Sequence, residues 1–233
     1  MYRLQKLLSL IGYCSRRTAE RLIESRKIKI NDSIAQVGDK WNKGDIVKIN
    51  DQIINIPNIS QMKLEIIKYY KPLGEVVSRA DPHNSVTVFD NLPEVEGKWI
   101  NIGRLDIQTS GLLLFTNDGD IANKLMHPSS SHTREYLLHT NKEMTKIEID
   151  KLLTGVPINN GEIGKFDYIS LEGNNFYKII LSTGKNREIR NSLSSINIKT
   201  MKLHRSKYSF IELDDMKEGE YRYLNNRERE LIF

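Results

Sequence analysis

Asp106 is the residue of this chain best surrounded for chemistry. It lies in the run Gly103-Arg104-Leu105-Asp106-Ile107-Gln108-Thr109-Ser110-Gly111, and the strand-like apolar stretch Leu112 to Phe115 follows at once. A carboxylate set beside a core needs a cationic or hydrogen-bonding partner to stay ionised, because desolvation favours the neutral acid. So held, it can act as a nucleophile or as a proton acceptor. Arg104 is too near in sequence to be the obvious partner if the segment is a strand, since neighbouring side chains there point to opposite faces. The pattern therefore asks for a distant cation. The plainer alternative is that Asp106 caps a turn, with Thr109 and Ser110 bonding the local backbone.

Little else competes for a catalytic role. Cys14 is the single cysteine, so there is no intramolecular disulfide and no multi-cysteine zinc site. The histidines (His83, His127, His132, His139, His204) lack a His-Glu-x-x-His spacing, and no phosphate-binding Gly-x-x-x-x-Gly-Lys-Ser/Thr loop occurs. We expect neither metal nor cofactor. No apolar run approaches the roughly 20 residues that span a bilayer, and Met1-Tyr2-Arg3-Leu4-Gln5-Lys6 opens no signal peptide. The expected location is the cytoplasm.

The net charge of +5 is unevenly placed: residues 1–56 carry 11 Lys/Arg against 6 Asp/Glu, while the remainder balances at 24 and 24. An amino-terminal module for a polyanion is the simplest reading. Leu4, Leu7, Leu8 and Ile11 fall at helical spacing, and Gly12 closes that helix. Ser15 caps a second helix with an Ala19, Leu22 and Ile23 stripe; strand patterns follow at Lys27–Ile30 and Ile46–Ile49. Arg16 and Arg17 stand at a helix start, where the helix dipole disfavours cations, and Arg26, Lys27 and Lys29 crowd the strand entry. A phosphate backbone would account for such placements, whereas a solvated charged face is the simpler alternative. Arg3 and Lys6 join this candidate set.

Pro57-Asn58-Ile59-Ser60-Gln61 is short and polar and predicts a linker, giving domains at 1–56 and 63–233 with 57–62 between them. Beyond it, strand patterns at Leu64–Tyr70, Leu112–Phe115, Arg134–Leu138 and Phe176–Leu181 mingle with helical ones at Ile121–Met126 and 143–154. No regular strand-helix-strand repeat appears, so we expect an α+β fold: a small α/β module, then a domain with a mixed, largely antiparallel sheet.

Three motifs in order carry a family resemblance. Tyr69-Tyr70-Lys71-Pro72-Leu73-Gly74, continued by Pro82, Thr87-Val88-Phe89-Asp90 and Leu92-Pro93, is the first; Gly103 to Gly119 is the second; Thr183-Gly184-Lys185-Asn186-Arg187-Glu188-Ile189-Arg190 is the third. Together they resemble pseudouridine synthases of the RsuA/RluB/RluE/RluF type. Residues 3–51, through Gly12, Ser15-Arg16-Arg17, Ala19-Glu20, Lys27 to Ile30 and Gly44-Asp45, resemble an S4 RNA-binding domain. The resemblance implies that Asp106 is the catalytic carboxylate and that Arg190 is its distant cation. It also implies that Tyr136, in Arg134-Glu135-Tyr136, stacks on the target base, and that Lys71, otherwise a plain turn lysine, is a structural residue by the active-site floor with a possible RNA contact. Arg104, Lys185 and Arg187 are then expected to meet RNA. Leu125-Met126-His127-Pro128-Ser129 and neighbouring motifs look most like the RluB branch, which modifies a uridine of 23S rRNA. Asn191, Ile196, Lys202, Lys207 and Ser209 depart from the usual pattern without touching the three central residues.

The implied reaction breaks the N-glycosidic bond of a uridine, turns the base and rejoins it through carbon 5, with no net oxidation. That chemistry needs no cofactor. The base must leave its stack, with Tyr136 to receive it. Ribosomal RNA is the expected partner and a monomer the expected state. A small-subunit rRNA substrate and a non-catalytic RNA-binding assembly factor are the alternatives; a glycosidase is disfavoured because no second carboxylate stands beside Asp106.

Overall fold

The computed structural model describes residues 1–79, 86–127, 130 and 132–232; Pro82, His83, Pro128 and Ser129, named above, lie outside them. The chain divides into two compact units, one of residues 1–65 with 94–100 and 117–119, the other of residues 66–93, 101–116 and 120–233.

In the first unit, α1 (Leu4–Leu10) ends before Gly12, whose φ of +80° turns the chain. Helix α2 (Arg16–Glu24) starts at Ser15, whose hydroxyl oxygen accepts the Thr18 N–H at 3.0 Å, as its sequence predicts. Four antiparallel strands follow in the order β2 (Ser33–Ile34), β1 (Ile28–Ile30), β3 (Val47–Ile49), β4 (Gln52–Ile53). Leu4, Leu7, Leu8, Ala19, Ile23, Ile28, Val47 and Ile49 fill one small core between helices and strands.

The second unit is built on a nine-stranded sheet. Its main strands are β5 (Ile66–Lys71), β6 (Ser110–Thr116), β7 (Arg134–Thr140), β8 (Tyr168–Gly173), β9 (Phe176–Leu181), β10 (Thr200–Tyr208) and β11 (Tyr221–Tyr223). They run in the order β8-β9-β7-β10-β6-β5-β11. Every pairing along that path is antiparallel except β10 with β6, which is parallel. A mixed, largely antiparallel sheet was expected, and this is one.

Two details of that sheet position the site. All seven residues of β6 are buried, so this strand carries a continuous apolar run and no alternation. At its parallel contact with β10, Gly111 has a φ of +113°, and a Cβ there would lie 2.3 Å from the Arg205 carbonyl oxygen and 2.5 Å from its nitrogen. Only glycine lets the two backbones approach so closely. Helix α3 (Gly119–Met126) follows β6, and α4 (Lys146–Thr154) starts at a capping box made by Thr145 and Glu148. Helix α5 (Glu188–Ser195) buries Ile189 and Leu193.

Candidate active site

Asp106 does not sit on a strand. It begins a tight turn ahead of β6, in which the Thr109 N–H donates to the Asp106 carbonyl at 2.9 Å. The alternation argument that set Arg104 aside therefore does not apply, and Arg104 is simply exposed on the cleft rim.

The turn is gripped from several sides through its backbone. Lys71 Nζ donates to the Thr109 carbonyl at 3.0 Å and to that of Pro72 at 2.8 Å. Arg190 Nη2 donates to the Gln108 carbonyl at 2.7 Å, and the Gly74 N–H donates to that of Ile107 at 2.9 Å. Leu105 and Thr109 are buried beneath it. The loop thus holds the carboxylate in place without using the carboxylate itself.

Two guanidinium groups face Asp106 Oδ2, Arg187 Nη1 at 3.5 Å and Arg190 Nε at 3.9 Å. The distant cation is present, yet the nearer of the pair is Arg187, which the sequence reading had turned toward RNA. Both contacts exceed the usual 2.7–3.2 Å of an N–H···O bond. Positive charge thus stands beside the carboxylate while its oxygens stay free of short bonds to it. Arg187 reaches this place because it is left-handed, with φ of 49°, at the N-terminus of α5. Burial and the neighbouring Arg187 both push Arg190 below the usual arginine range.

Glu188 and Arg134 shape the loop before α5, and sequence reasoning assigned neither a role. Glu188, buried, accepts from the Thr183 hydroxyl at 2.8 Å and from the Lys185 N–H at 3.0 Å. Arg134 Nη1 donates to the His132 and Ser182 carbonyls at 2.9 and 3.0 Å. An acidic residue in the first turn of a helix was the available signal for Glu188.

Asp106, Tyr136 and Arg190 line one cleft of about 180 Å³, together with Arg104, Lys185 and Arg187. Tyr136 lies on β7, only 8% exposed, presenting an aromatic side chain to that cleft. Lys185 Nζ donates to the Ile163 carbonyl. The arrangement joins one free carboxylate, an aromatic wall and a cationic rim, which suits a flipped base on a phosphate chain.

The model of the RNA pseudouridylate synthase family matches residues 65–195, and that of the S4 domain residues 3–47. The chain belongs to this synthase family. A Vibrio vulnificus relative called Ribosomal large subunit pseudouridine synthase B is 38% identical over 218 residues, covering 91% of this chain and 68% of that protein. A Buchnera aphidicola protein of the same name is 44% identical over 234 residues, covering 96% and 90%. A solved structure described as a pseudouridylate synthase matches all of both chains with a TM-score of 0.72 at 24% identity, which speaks for the fold alone.

In this pseudouridine synthase the amino-terminal candidates lie in the first unit. Arg3, Arg16, Arg17, Arg26 and Lys27 are exposed, and Lys6 is half-buried on α1. Lys29 is engaged, with Nζ 2.6 Å from Asp51 Oδ1.

Lys71 has the structural place its motif implied, without the possible RNA contact. It is 0% exposed, so it cannot contact RNA; the β5 register sets it opposite Gly111, under the Asp106 turn. Burial pushes its pKa down to about 8, against the opposing pull of Glu75 and Asp106. Between about 8 and the usual lysine value near 10.4 the unfolded chain keeps the proton that the folded chain has lost, so Lys71 makes stability rise with pH there. Activity should move the other way, since a neutral amine grips the Thr109 carbonyl less well and removes a positive charge near Asp106. We expect single-turnover rates to fall as pH rises through about 8 without a matching drop in melting temperature. In Lys71→Met that limb should vanish; a limb of the same position in the variant would exclude Lys71.

Proposed function

We propose that this enzyme isomerises a uridine of large-subunit, 23S, ribosomal RNA to pseudouridine. Asp106 acts as nucleophile at the ribose or as base toward its 2′ proton, Arg190 with Arg187 places positive charge beside it, and Tyr136 receives the flipped uracil. The reading rests above all on one observation, a carboxylate flanked by two guanidiniums at 3.5 and 3.9 Å and tied to neither by a short bond. The two relatives quoted above, both named for the large ribosomal subunit, support the substrate. Residues 1–56 serve as the RNA-binding domain, 57–62 as linker and 63–233 as catalytic domain, in a monomer working in the cytoplasm. No described helix is long and apolar enough to cross a membrane.

Mapping pseudouridines in ribosomal RNA from cells with and without the protein tests this directly. One large-subunit site should disappear without it and return with the wild-type gene. An unchanged large-subunit map, or loss of a small-subunit site, would refute the assignment.

The amino-terminal role has its own test. Arg16 and Arg17 are exposed at the start of α2. Replacing both with alanine should weaken RNA binding and shrink the slope of log affinity against log salt by about 2. The rate at saturating RNA should stay put. Filter binding at several salt concentrations measures this, and an unchanged slope would remove these residues from the interface.

A further inference from the structure

Arg205 is the most deeply buried cation among the residues that line the cleft. It is 1% exposed, on β10, directly across from Tyr136 on β7. Its Nε donates to the Leu112 carbonyl at 2.7 Å, and its Cζ lies 5.3 Å from the centre of the Tyr208 ring. Its Nη2 has no acceptor at all, and no carboxylate among the described residues forms an ion pair with it. Of the other cleft-lining arginines, Arg190 donates through Nη2 to the Gln108 carbonyl, and Arg134 through Nη1 to the His132 and Ser182 carbonyls and through Nη2 to the Tyr208 hydroxyl. Arg190 Nε also lacks a hydrogen-bond acceptor, but it lies 3.9 Å from Asp106; Arg205 is the cleft-lining cation whose buried unmet donor has no carboxylate within ion-pair distance among the described residues.

A guanidinium withdrawn from water without an anion is costly, and an unmet buried donor adds to that cost. The backbone at this position is fixed by its contact with Gly111, so the residue cannot slide outward. Such a group is suited to a negative charge that arises inside the cleft only during reaction.

Resting on the pseudouridine synthase reading, we infer that Arg205 stabilises the uracil anion released when the glycosidic bond breaks. As the C1′–N1 bond opens, its electron pair stays on N1 and spreads to the O2 and O4 carbonyls. Arg205 Nη2 donates a hydrogen bond to one of those oxygens. The base then turns and C5 bonds to C1′ as the Asp106–C1′ ester breaks or, where Asp106 acted as base, as its proton returns to C2′; the C5 proton leaves to solvent and N1 takes up a proton. Arg205 remains protonated throughout, since guanidinium does not give up its proton in proteins. Either role of Asp106 releases the same anion, so the inference does not depend on which one operates.

The test compares wild type with Arg205→Gln, Arg205→Lys and Arg205→Ala on an rRNA transcript carrying the mapped uridine. Single-turnover rate, RNA affinity and melting temperature are measured for each. Arg205→Gln should lose about 10²–10³-fold in rate, the scale for removing one donor to a developing anion, with RNA affinity unchanged. Arg205→Lys should keep more of the rate than Arg205→Gln, and added guanidinium ion should restore part of the rate of Arg205→Ala in a saturable way. A merely structural brace for Leu112 predicts instead that Gln and Lys fail alike, with lowered melting temperatures and no rescue. That result, or a rate within about threefold of wild type for Arg205→Gln, overturns the inference. If Arg205→Ala does not fold, the Gln and Lys variants decide. A wild type that makes no pseudouridine would sink the proposed function and this inference with it, whereas an active wild type with normal Arg205→Gln sinks only the inference.

Discussion

Asp106→Asn should lose pseudouridine formation by a factor of about 10⁴ or more while still binding RNA, the scale seen when the reacting group itself is removed. The substitution preserves shape, and the turn should persist because its grips run through the backbone: Lys71 to the Thr109 carbonyl, Arg190 to that of Gln108, and the Gly74 N–H to that of Ile107. What vanishes is the charge that Arg187 and Arg190 face and the oxygen that would attack or accept a proton. Tritium release from 5-tritiated uridine in rRNA measures turnover, and filter binding measures affinity. Normal turnover in the variant would end the case for Asp106; lost binding with a lowered melting temperature would mean that the turn, not the chemistry, had failed.

Gly111→Ala should be the most disruptive single methyl in the sheet. Its Cβ would meet three backbone atoms of Arg205 within 2.9 Å, and backbone cannot swing aside as a side-chain tip can. The φ of +113° is strained for any L side chain besides. Separating the β6 and β10 backbones to make room would cost more than about 3 kcal/mol, a large part of a typical domain's stability. Urea melts should show a markedly lower midpoint, and the surviving folded fraction should be poorly active because the turn beside Gly111 carries Asp106. An unfolding free energy from those melts within about 1 kcal/mol of wild type would show that the strands separate easily.

Much of the architecture could be read from the chain because it is written in local periodicity and caps. The Leu4, Leu7, Leu8 stripe and the Ser15 cap define α1 and α2, and the apolar run after Gly111 defines β6. The site was legible in part because Asp106 among apolar neighbours demands a cation, and the motif order pointed to Arg190. What stayed hidden depends on long-range register. The motif placed Lys71 by the site floor, but its complete burial and its grip on the Asp106 turn show only once β5 is paired with β6. Arg187 reads as a rim cation until its left-handed backbone brings it closer to Asp106 than Arg190. Strand β8 left little sequence signal, being an edge strand with Tyr168, Leu171, Glu172 and Gly173 all exposed. Arg205 alternates inward with Leu203, and both are buried; an arginine at such a position was the one clue available.

The place of β10 in the sheet bears on when activity can arise during folding. Strands β8, β9 and β7 form one antiparallel group and β6 with β5 another, and β10 is the strand that joins them. Asp106 precedes β6 in one group, while Tyr136 stands on β7 in the other. Contacts such as His204 with Ser110 close a loop of 94 residues, and pairing at that range is slow compared with hairpins. A chain still emerging from synthesis, with residues 200–208 not yet available, can hold both groups and yet have no assembled cleft. On refolding from urea, strand signals in circular dichroism should therefore return ahead of activity, which should track the slowest phase; activity recovered in the earliest phase would show that β10 is not the closing strand.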